Sequence, residues 1–344
     1  MLKKEKNNFE RKIKTRVFSA IRPTGPLHLG NYLGGLKAYL ELQNRSEFDC
    51  IYAVADLHGL ASPFEKHTFN KNIKELVLEY LACGLDPQKC HLIIQSEIPQ
   101  HSELAYLFAA IFPLSRLEQL PTFKEKKKEQ PKDINVGLLY YPILMAADIL
   151  LYKADIVPVG KDQLPHLEIT REIARFFNKR FGKTFPEPKD YLAKGSYVPS
   201  LLGEGKMSKS KEGSFISLID DQKTIEKKLA KVPTDIGKGK EVPKKGGVAV
   251  LLTLLELFEG KEEREIYEKQ YLSSGIKYQN LKKRLAEAIY KEIKPIQLKR
   301  TRLLKESKLI EKVLVEGREY ATSIAEKTLK EAKEKMGLNF NVRD

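Results

Sequence analysis

Residues 141–178 read YPILMAADILLYKADIVPVGKDQLPHLEITREIARFFN. An apolar, helix-forming run from Pro142 to Tyr152 carries one carboxylate, Asp148, in its middle. Burying a carboxylate is costly unless donors surround it, so Asp148 is either a satisfied structural acid or an acceptor for a ligand. A strand-like run follows, Ile156-Val157-Pro158-Val159-Gly160. It opens into a polar cluster, Lys161-Asp162-Gln163, with His166 and Glu168 on the next helix. Strand, glycine turn, polar cluster and helix is how an open parallel sheet presents ligand groups at its carboxyl edge. The stretch reads as the floor and wall of a substrate pocket.

Upstream, Arg16–Ile21 reads as a short buried strand, and Arg22-Pro23-Thr24-Gly25-Pro26 as a loop. A helix follows from Gly30-Asn31 through Tyr32, Leu33, Leu36, Tyr39 and Leu40. A strand feeding a turn at a helix N-terminus favours an anion. His28 and Asn31 can add donors there, and Gly25 and Gly30 admit a ligand close to the backbone. The tetrapeptide His28-Leu29-Gly30-Asn31 is equally compatible with simple capping. Cys50–Ala55 is a second, wholly apolar strand that ends in Asp56-Leu57-His58, and His91–Gln95 is a third. Residues 66–83 and 100–120 read as helices. Thr122–Gln130 is a charged loop, either a solvated run or a lid whose lysines reach a phosphate.

Beyond Pro186 the pattern turns irregular and reaches Gly203-Glu204-Gly205-Lys206-Met207-Ser208-Lys209-Ser210. Lysines in a loop flanked by Gly and Ser suit a phosphate clamp, with Met207 as its apolar anchor. From about Ser217 the pattern is helical to the end. The apolar stripe of the last helix, at Leu309, Val313, Tyr320, Ile324, Ala325, Leu329 and Ala332, reads as packing.

The chain has 344 residues, enough for two domains with cores of their own. No apolar run approaches a membrane span, and the basic start MLKKEKNNFERKIKTR lacks the apolar run of a signal peptide. The three cysteines show no metal-like pairing and point to a reduced, cytoplasmic setting. Net charge is +15. Residues 221–344 hold 29 Lys and Arg against 20 Asp and Glu, a net +9, the excess expected of a part that contacts nucleic acid.

His28-Leu29-Gly30-Asn31 and Lys206-Met207-Ser208-Lys209-Ser210, in that order and about 180 residues apart, resemble the two signatures of class I aminoacyl-tRNA synthetases. The stretch at 141–178, with RPTGPLHLGNYLGGL, ADLHGL and the TFKEK loop, is similar to bacterial tryptophanyl-tRNA synthetases. The likeness runs from about Val17 to Gly337. Tyrosyl-tRNA synthetases share the fold, but their pattern on the corresponding helix differs from Met145-Ala146-Ala147-Asp148.

The resemblance implies an α/β fold: a Rossmann-like, doubly wound parallel-sheet catalytic domain over 16–216, after a basic extension at 1–15. An all-α anticodon-binding domain over 217–344 follows, its last helix packing back on the catalytic domain. It implies use of ATP, with Mg²⁺ bound to the nucleotide, to activate L-tryptophan for transfer to tRNA(Trp) by a homodimer. Asp148 would accept the indole N–H, and Tyr141 and Gln163 would hold the head group. Phe18, Met145, Val157 and Val159 would line the indole slot, with His58 nearby. His28 and Asn31 would bind ATP, helped by Gly25, Gly30 and Arg22, the last standing where some bacterial members carry Gln. Gly160 and Asp162 would contact the ribose, and Val198 and Met207 the adenine. Lys126, Lys206 and Lys209 would grip the triphosphate. Other readings are the same fold acting on tyrosine, a non-catalytic RNA-binding paralogue, and a different α/β nucleotidyl-transfer enzyme.

Overall fold

The computed structural model describes residues 14–61, 63–120, 123, 135–192, 197–209 and 211–339. Five parallel strands form one sheet in the order β3-β2-β1-β4-β5: β1 (Thr15–Ile21), β2 (Phe48–Val54), β3 (Cys90–Ile94), β4 (Ile156–Pro158) and β5 (Lys189–Tyr191). The order reverses between β1 and β4, so ligand groups gather at the carboxyl ends of these two strands.

Alternation along the strands sorts side chains between two cores. Val17, Cys50, Tyr52, Val54, Cys90 and Leu92 enter one core. Phe18, Ile51, Ala53, Ile93 and Val157 enter the other. The first core is capped by α1 (Leu29–Asn31), a π-helical stretch at Tyr32–Leu36, α2 (Lys37–Gln43) and α4 (Lys66–Cys83). The second is capped by α5 (Gln100–Ala109), α7 (Val136–Leu151) and α8 (Leu164–Phe181). Two shorter helices complete this part, α3 (Asp56–Gly59) and α6 (Leu114–Glu118). The expected single helix over 100–120 is two helices, because Pro113 removes a backbone donor between them. The region after Pro186, expected to be irregular, contains the edge strand β5.

The chain ends in α9 (Gln222–Ala230), α10 (Gly246–Glu259), α11 (Lys261–Leu272), α12 (Tyr278–Leu303) and α13 (Ser307–Lys335). Helix α12 lies along α4, and its Glu292 reaches the π-helical stretch and α2, accepting from the Tyr32 hydroxyl at 3.1 Å and pairing with Lys37 at 2.9 Å. Helix α13 runs beside β3 and places Ala321, Ala325, Leu329 and Ala332 in the second core. It thereby covers the open edge of the sheet. The three cysteines are buried thiols. No helix among the described residues is long and apolar enough to cross a membrane.

Candidate active site

The segment that holds the first signature is zipped by backbone to residues 216–218, just beyond the second. Leu29 N donates to Ile216 O at 3.0 Å and Leu218 N to Leu27 O at 2.9 Å, with His28 opposite Ser217. Within the second segment Met207 N donates to Val198 O at 3.0 Å, and Pro199 bridges to Lys206. Val198 and Met207 are buried in the core that holds Leu27 and Leu29. Apolar packing therefore fixes the loop, and its lysines stand on an anchored base.

His28 folds back over Gly30. A Cβ on Gly30 would lie 2.8 Å from the imidazole Cε1 and 3.4 Å from Met207 Cβ. Gly25 holds a φ of +108°, which favours glycine. His28 N donates to Asn31 Oδ1 at 3.2 Å, so this asparagine closes the first turn. The imidazole is buried, and its Nδ1 has no hydrogen-bond partner among the described residues. Burial, with repulsion from Lys209 and Lys206, pushes its pKa down to about 4, so it is neutral at pH 7. A neutral ring beside two ammonium groups is an uncharged hydrogen-bonding group in a cationic surround.

Lys209 Nζ donates to Gly25 O at 2.5 Å, crossing from the second signature to the loop that precedes the first. Lys206 Nζ pairs with Asp162 Oδ2 at 2.8 Å, and Gln163 Nε2 donates to the same oxygen at 2.7 Å. Asp162 and Gln163 belong to a 3-10 turn that Gly160 opens. A Cβ on Gly160 would meet Asp162 Oδ1 at 2.8 Å, so this glycine lets the carboxylate fold back. Arg22 leaves the end of β1 exposed. Its charge still reaches Lys209, whose pKa falls to about 8 chiefly through burial, with Arg22 adding repulsion and Glu79 opposing.

The apolar side of the site contains Phe18 and Val157 with half-buried Met145 and Val159 in one cluster. Asp148 lies beside it, 3% exposed. Three side chains reach its carboxylate: Gln95 Nε2 to Oδ1 at 2.7 Å, His101 Nδ1 to Oδ1 at 2.7 Å and His58 Nε2 to Oδ2 at 2.8 Å. Burial opposes ionisation, but the hydrogen bonds from His101 and His58 outweigh it and hold the carboxyl below its usual range. A carboxylate offers about four lone-pair positions, two on each oxygen. Among the described residues Oδ1 receives two donors and Oδ2 one, so Oδ2 is the less occupied oxygen. Tyr141 packs edge-on against His58, with ring centroids 6.4 Å apart, and its hydroxyl bonds His166 Nε2 at 2.9 Å.

Gln95, His101 and Glu79 are the polar residues that sequence reading passed over. Gln95 sits in the turn after β3 and His101 on α5, both far from Asp148 in sequence, and only tertiary packing joins them to it. A signal existed for His101, which shares a helical face with Leu104, Ala105 and Phe108. Lys126 lies outside the described residues.

The family model described as tRNA synthetases class I (W and Y) matches residues 10–294. A tryptophan--tRNA ligase of Caldanaerobacter subterraneus is 44% identical over 329 residues, 94% of this chain and 98% of that protein. That of Wolinella succinogenes is 40% identical over 331 residues, 95% of this chain and 99% of that protein. The tryptophanyl-tRNA synthetase of Mycoplasma pneumoniae superposes with a TM-score of 0.83 at 34% identity, covering 95% of this chain and 98% of its own. That of Campylobacter jejuni, solved with ADP and tryptophan, gives 0.80 at 30% identity, covering 94% of this chain and all of its own. With both signature segments in place beside a parallel sheet, the chain belongs to the class I tRNA synthetases of the tryptophan and tyrosine family.

Proposed function

We propose that this chain uses ATP to activate L-tryptophan as tryptophanyl-adenylate and transfers the tryptophanyl group to tRNA(Trp), releasing AMP and pyrophosphate. The observation that carries the choice of amino acid is the ionised, buried Asp148 beside an apolar cluster, with a single donor to Oδ2 among the described residues. An indole offers what that corner accepts: a flat apolar body and one N–H. Phenylalanine would bring no N–H to it, and a site built on a buried polar contact rejects such an analogue by roughly 10⁴–10⁵.

The activation step is attack of the substrate carboxylate oxygen on the α-phosphorus of ATP, breaking the bond to pyrophosphate. The attacking carboxylate is already ionised, so no side-chain base is required. What the protein supplies is position and charge. Tyr141 and Gln163 are assigned to the amino-acid head group, and Gly160 and Asp162 to the ribose. Val198 and Met207 take the adenine. His28 and Asn31, with Gly25, Gly30 and Arg22 around them, take phosphate and ribose. Lys206 and Lys209 neutralise the departing pyrophosphate, joined by Lys126. The loop itself presents the Lys206 and Lys209 ammonium groups, which suit phosphate oxygens, and Asp162 beside it is already paired with Lys206. Mg²⁺ accordingly belongs on the triphosphate, where it supplies further charge neutralisation.

The same reading assigns 16–216 to catalysis and 217–344 to the anticodon, in a cytoplasmic homodimer. Support for a second copy comes from exposed apolar side chains on helices that pack together: Tyr106 on α5, Leu114 on α6, Val136 on α7 and Phe176 on α8.

Asp148→Ala tests the assignment. Tryptophan-dependent pyrophosphate exchange should be lost while ATP titration of the same protein is retained, with a thermal melt checking that it is folded. Equal loss of both ligands would remove Asp148 from amino-acid selection.

A further inference from the structure

The side chains behind Asp148 form a chain that ends at the floor of the slot. His101 is fully buried and uses both ring nitrogens, Nδ1 to Asp148 Oδ1 at 2.7 Å and Nε2 to the Tyr152 hydroxyl at 2.8 Å. An ionised carboxylate has no proton to give, so Nδ1–H is the donor there. In the neutral ring Nε2 is then the acceptor, and the phenol proton of Tyr152 points at it. The Tyr152 ring stacks on Phe18, with centroids 5.2 Å apart and planes 22° apart. Tyr152 is itself fully buried, and its carbonyl accepts from Arg16 Nη1 at 2.8 Å. One tyrosine thus buttresses Phe18 with its ring and a histidine tautomer with its hydroxyl.

We propose that Tyr152 and His101 are positioning residues for amino-acid selection: the phenol sets the imidazole tautomer, and the imidazole with Gln95 saturates Asp148 Oδ1. The remaining lone pair on Oδ2 is thereby aimed at the substrate N–H. This rests on Asp148 being the indole acceptor. Without the Tyr152 hydroxyl the imidazole can present Nε2–H and a bare Nδ1. The carboxylate then loses one tether and is free to rotate away from the productive angle.

The test uses the full-length protein and ATP–pyrophosphate exchange, with tryptophan and with an analogue that has benzothiophene in place of indole. The analogue keeps the shape and lacks the N–H. Tyr152→Phe preserves the ring against Phe18 and removes only the hydroxyl. His101→Leu removes the donor, and His101→Asn restores an N–H where Nδ1 stood. Loss of one hydrogen bond predicts that Tyr152→Phe and His101→Leu raise the KM for tryptophan by about five- to tenfold. The KM for ATP and kcat should stay within about twofold, a split that uniform structural damage does not produce. Preference for tryptophan over the analogue should fall by the same factor, and His101→Asn should recover most of it. Should the unmodified protein scarcely distinguish the two amino acids, the assignment of Asp148 falls and the proposal with it. Should it distinguish them and Tyr152→Phe distinguish them equally well, only the positioning proposal is overturned. A parallel rise in both KM values, or no advantage of Asn over Leu at position 101, overturns it too.

Discussion

Lys206 Nζ lies 2.8 Å from Asp162 Oδ2, an ion pair that ties the second signature loop to the turn after β4. Both side chains are about half exposed, so water screens the pair and its share of stability is no more than ~1 kcal/mol. Its value is positional: the pair parks an ammonium where a triphosphate is expected and leaves it easy to release. Lys206→Ala should therefore lower kcat for pyrophosphate exchange by roughly 10²–10³, the usual cost of losing one charge-stabilising donor. The urea midpoint should barely change. A large loss of stability with kcat intact would reverse this reading.

Lys209 predicts a pH effect. Burial, assisted by Arg22, brings its pKa down to about 8. Below that value the ammonium is charged and can meet a phosphate, and above it the amine is neutral. The profile of kcat/KM for ATP reports the free enzyme. It should fall as pH rises through about 8. Lys209→Arg keeps its charge throughout this range, so its profile should be flat there even if its rate is lower. Exchange rates from pH 6.5 to 9.5 at low ATP, about the range over which a pKa near 8 is resolved, decide it. The same descending limb in the arginine variant would assign the titration elsewhere.

Much of this was legible in sequence because it rests on local patterns. Strands β1, β2 and β3 are apolar runs, and the two signature loops carry their Gly, His and Lys at fixed places. Strand β5 was not legible, since Lys189-Asp190-Tyr191 has no apolar pattern and pairs only as an edge beside β4. Asp148 was conspicuous and the family resemblance put His58 near the slot, but Gln95 and His101 were not foreseen. His58, Gln95 and His101 come from three separate elements, 90, 53 and 47 residues away. No period in the sequence links them, and only tertiary packing sets how the donors divide between the two carboxylate oxygens.

Glu79 couples the first signature loop to stability. Its carboxylate accepts from Leu27 N at 3.1 and 2.9 Å, next to His28, and it is almost fully buried. Burial raises its pKa to about 7, although the Leu27 N–H and the charges of Lys209 and Arg300 act the other way. The folded chain therefore holds a proton between the unfolded value of 4.5 and about 7 that the unfolded chain releases. Stability from this group is complete below the unfolded value and is lost as pH rises to the folded one, by up to ~3 kcal/mol. Glu79→Gln cannot ionise and lacks this slope. Relative to the unmodified protein, its unfolding free energy should improve steadily when urea melts at about pH 5, 6.5 and 8, chosen to span the two pKa values, are compared. A constant offset across those three points would show that Glu79 does not titrate in this window.

Gly317 gives a steric prediction. On most exposed helical faces, replacing Gly by Ala stabilises by about 1 kcal/mol. Here α13 passes so close to β3 that a Cβ at 317 would stand 2.1 Å from Leu92 O and 2.9 Å from its carbonyl carbon. Backbone in a paired strand cannot yield as a side chain can, so the helix itself must lift. Overpacking of this kind costs about 1–3 kcal/mol even where side chains can adjust. Lifting α13 also exposes the β3 edge and pulls on the Tyr320 hydroxyl, which donates to Asp49 Oδ2 at 2.7 Å. Gly317→Ala should therefore destabilise by about 3 kcal/mol, opposite in sign to the helix propensity change. Amide exchange should speed up first in β3 and in the second half of α13, while α9 to α11 keep their protection. A neutral or stabilising substitution would mean that the helix sits farther from the strand than these distances state.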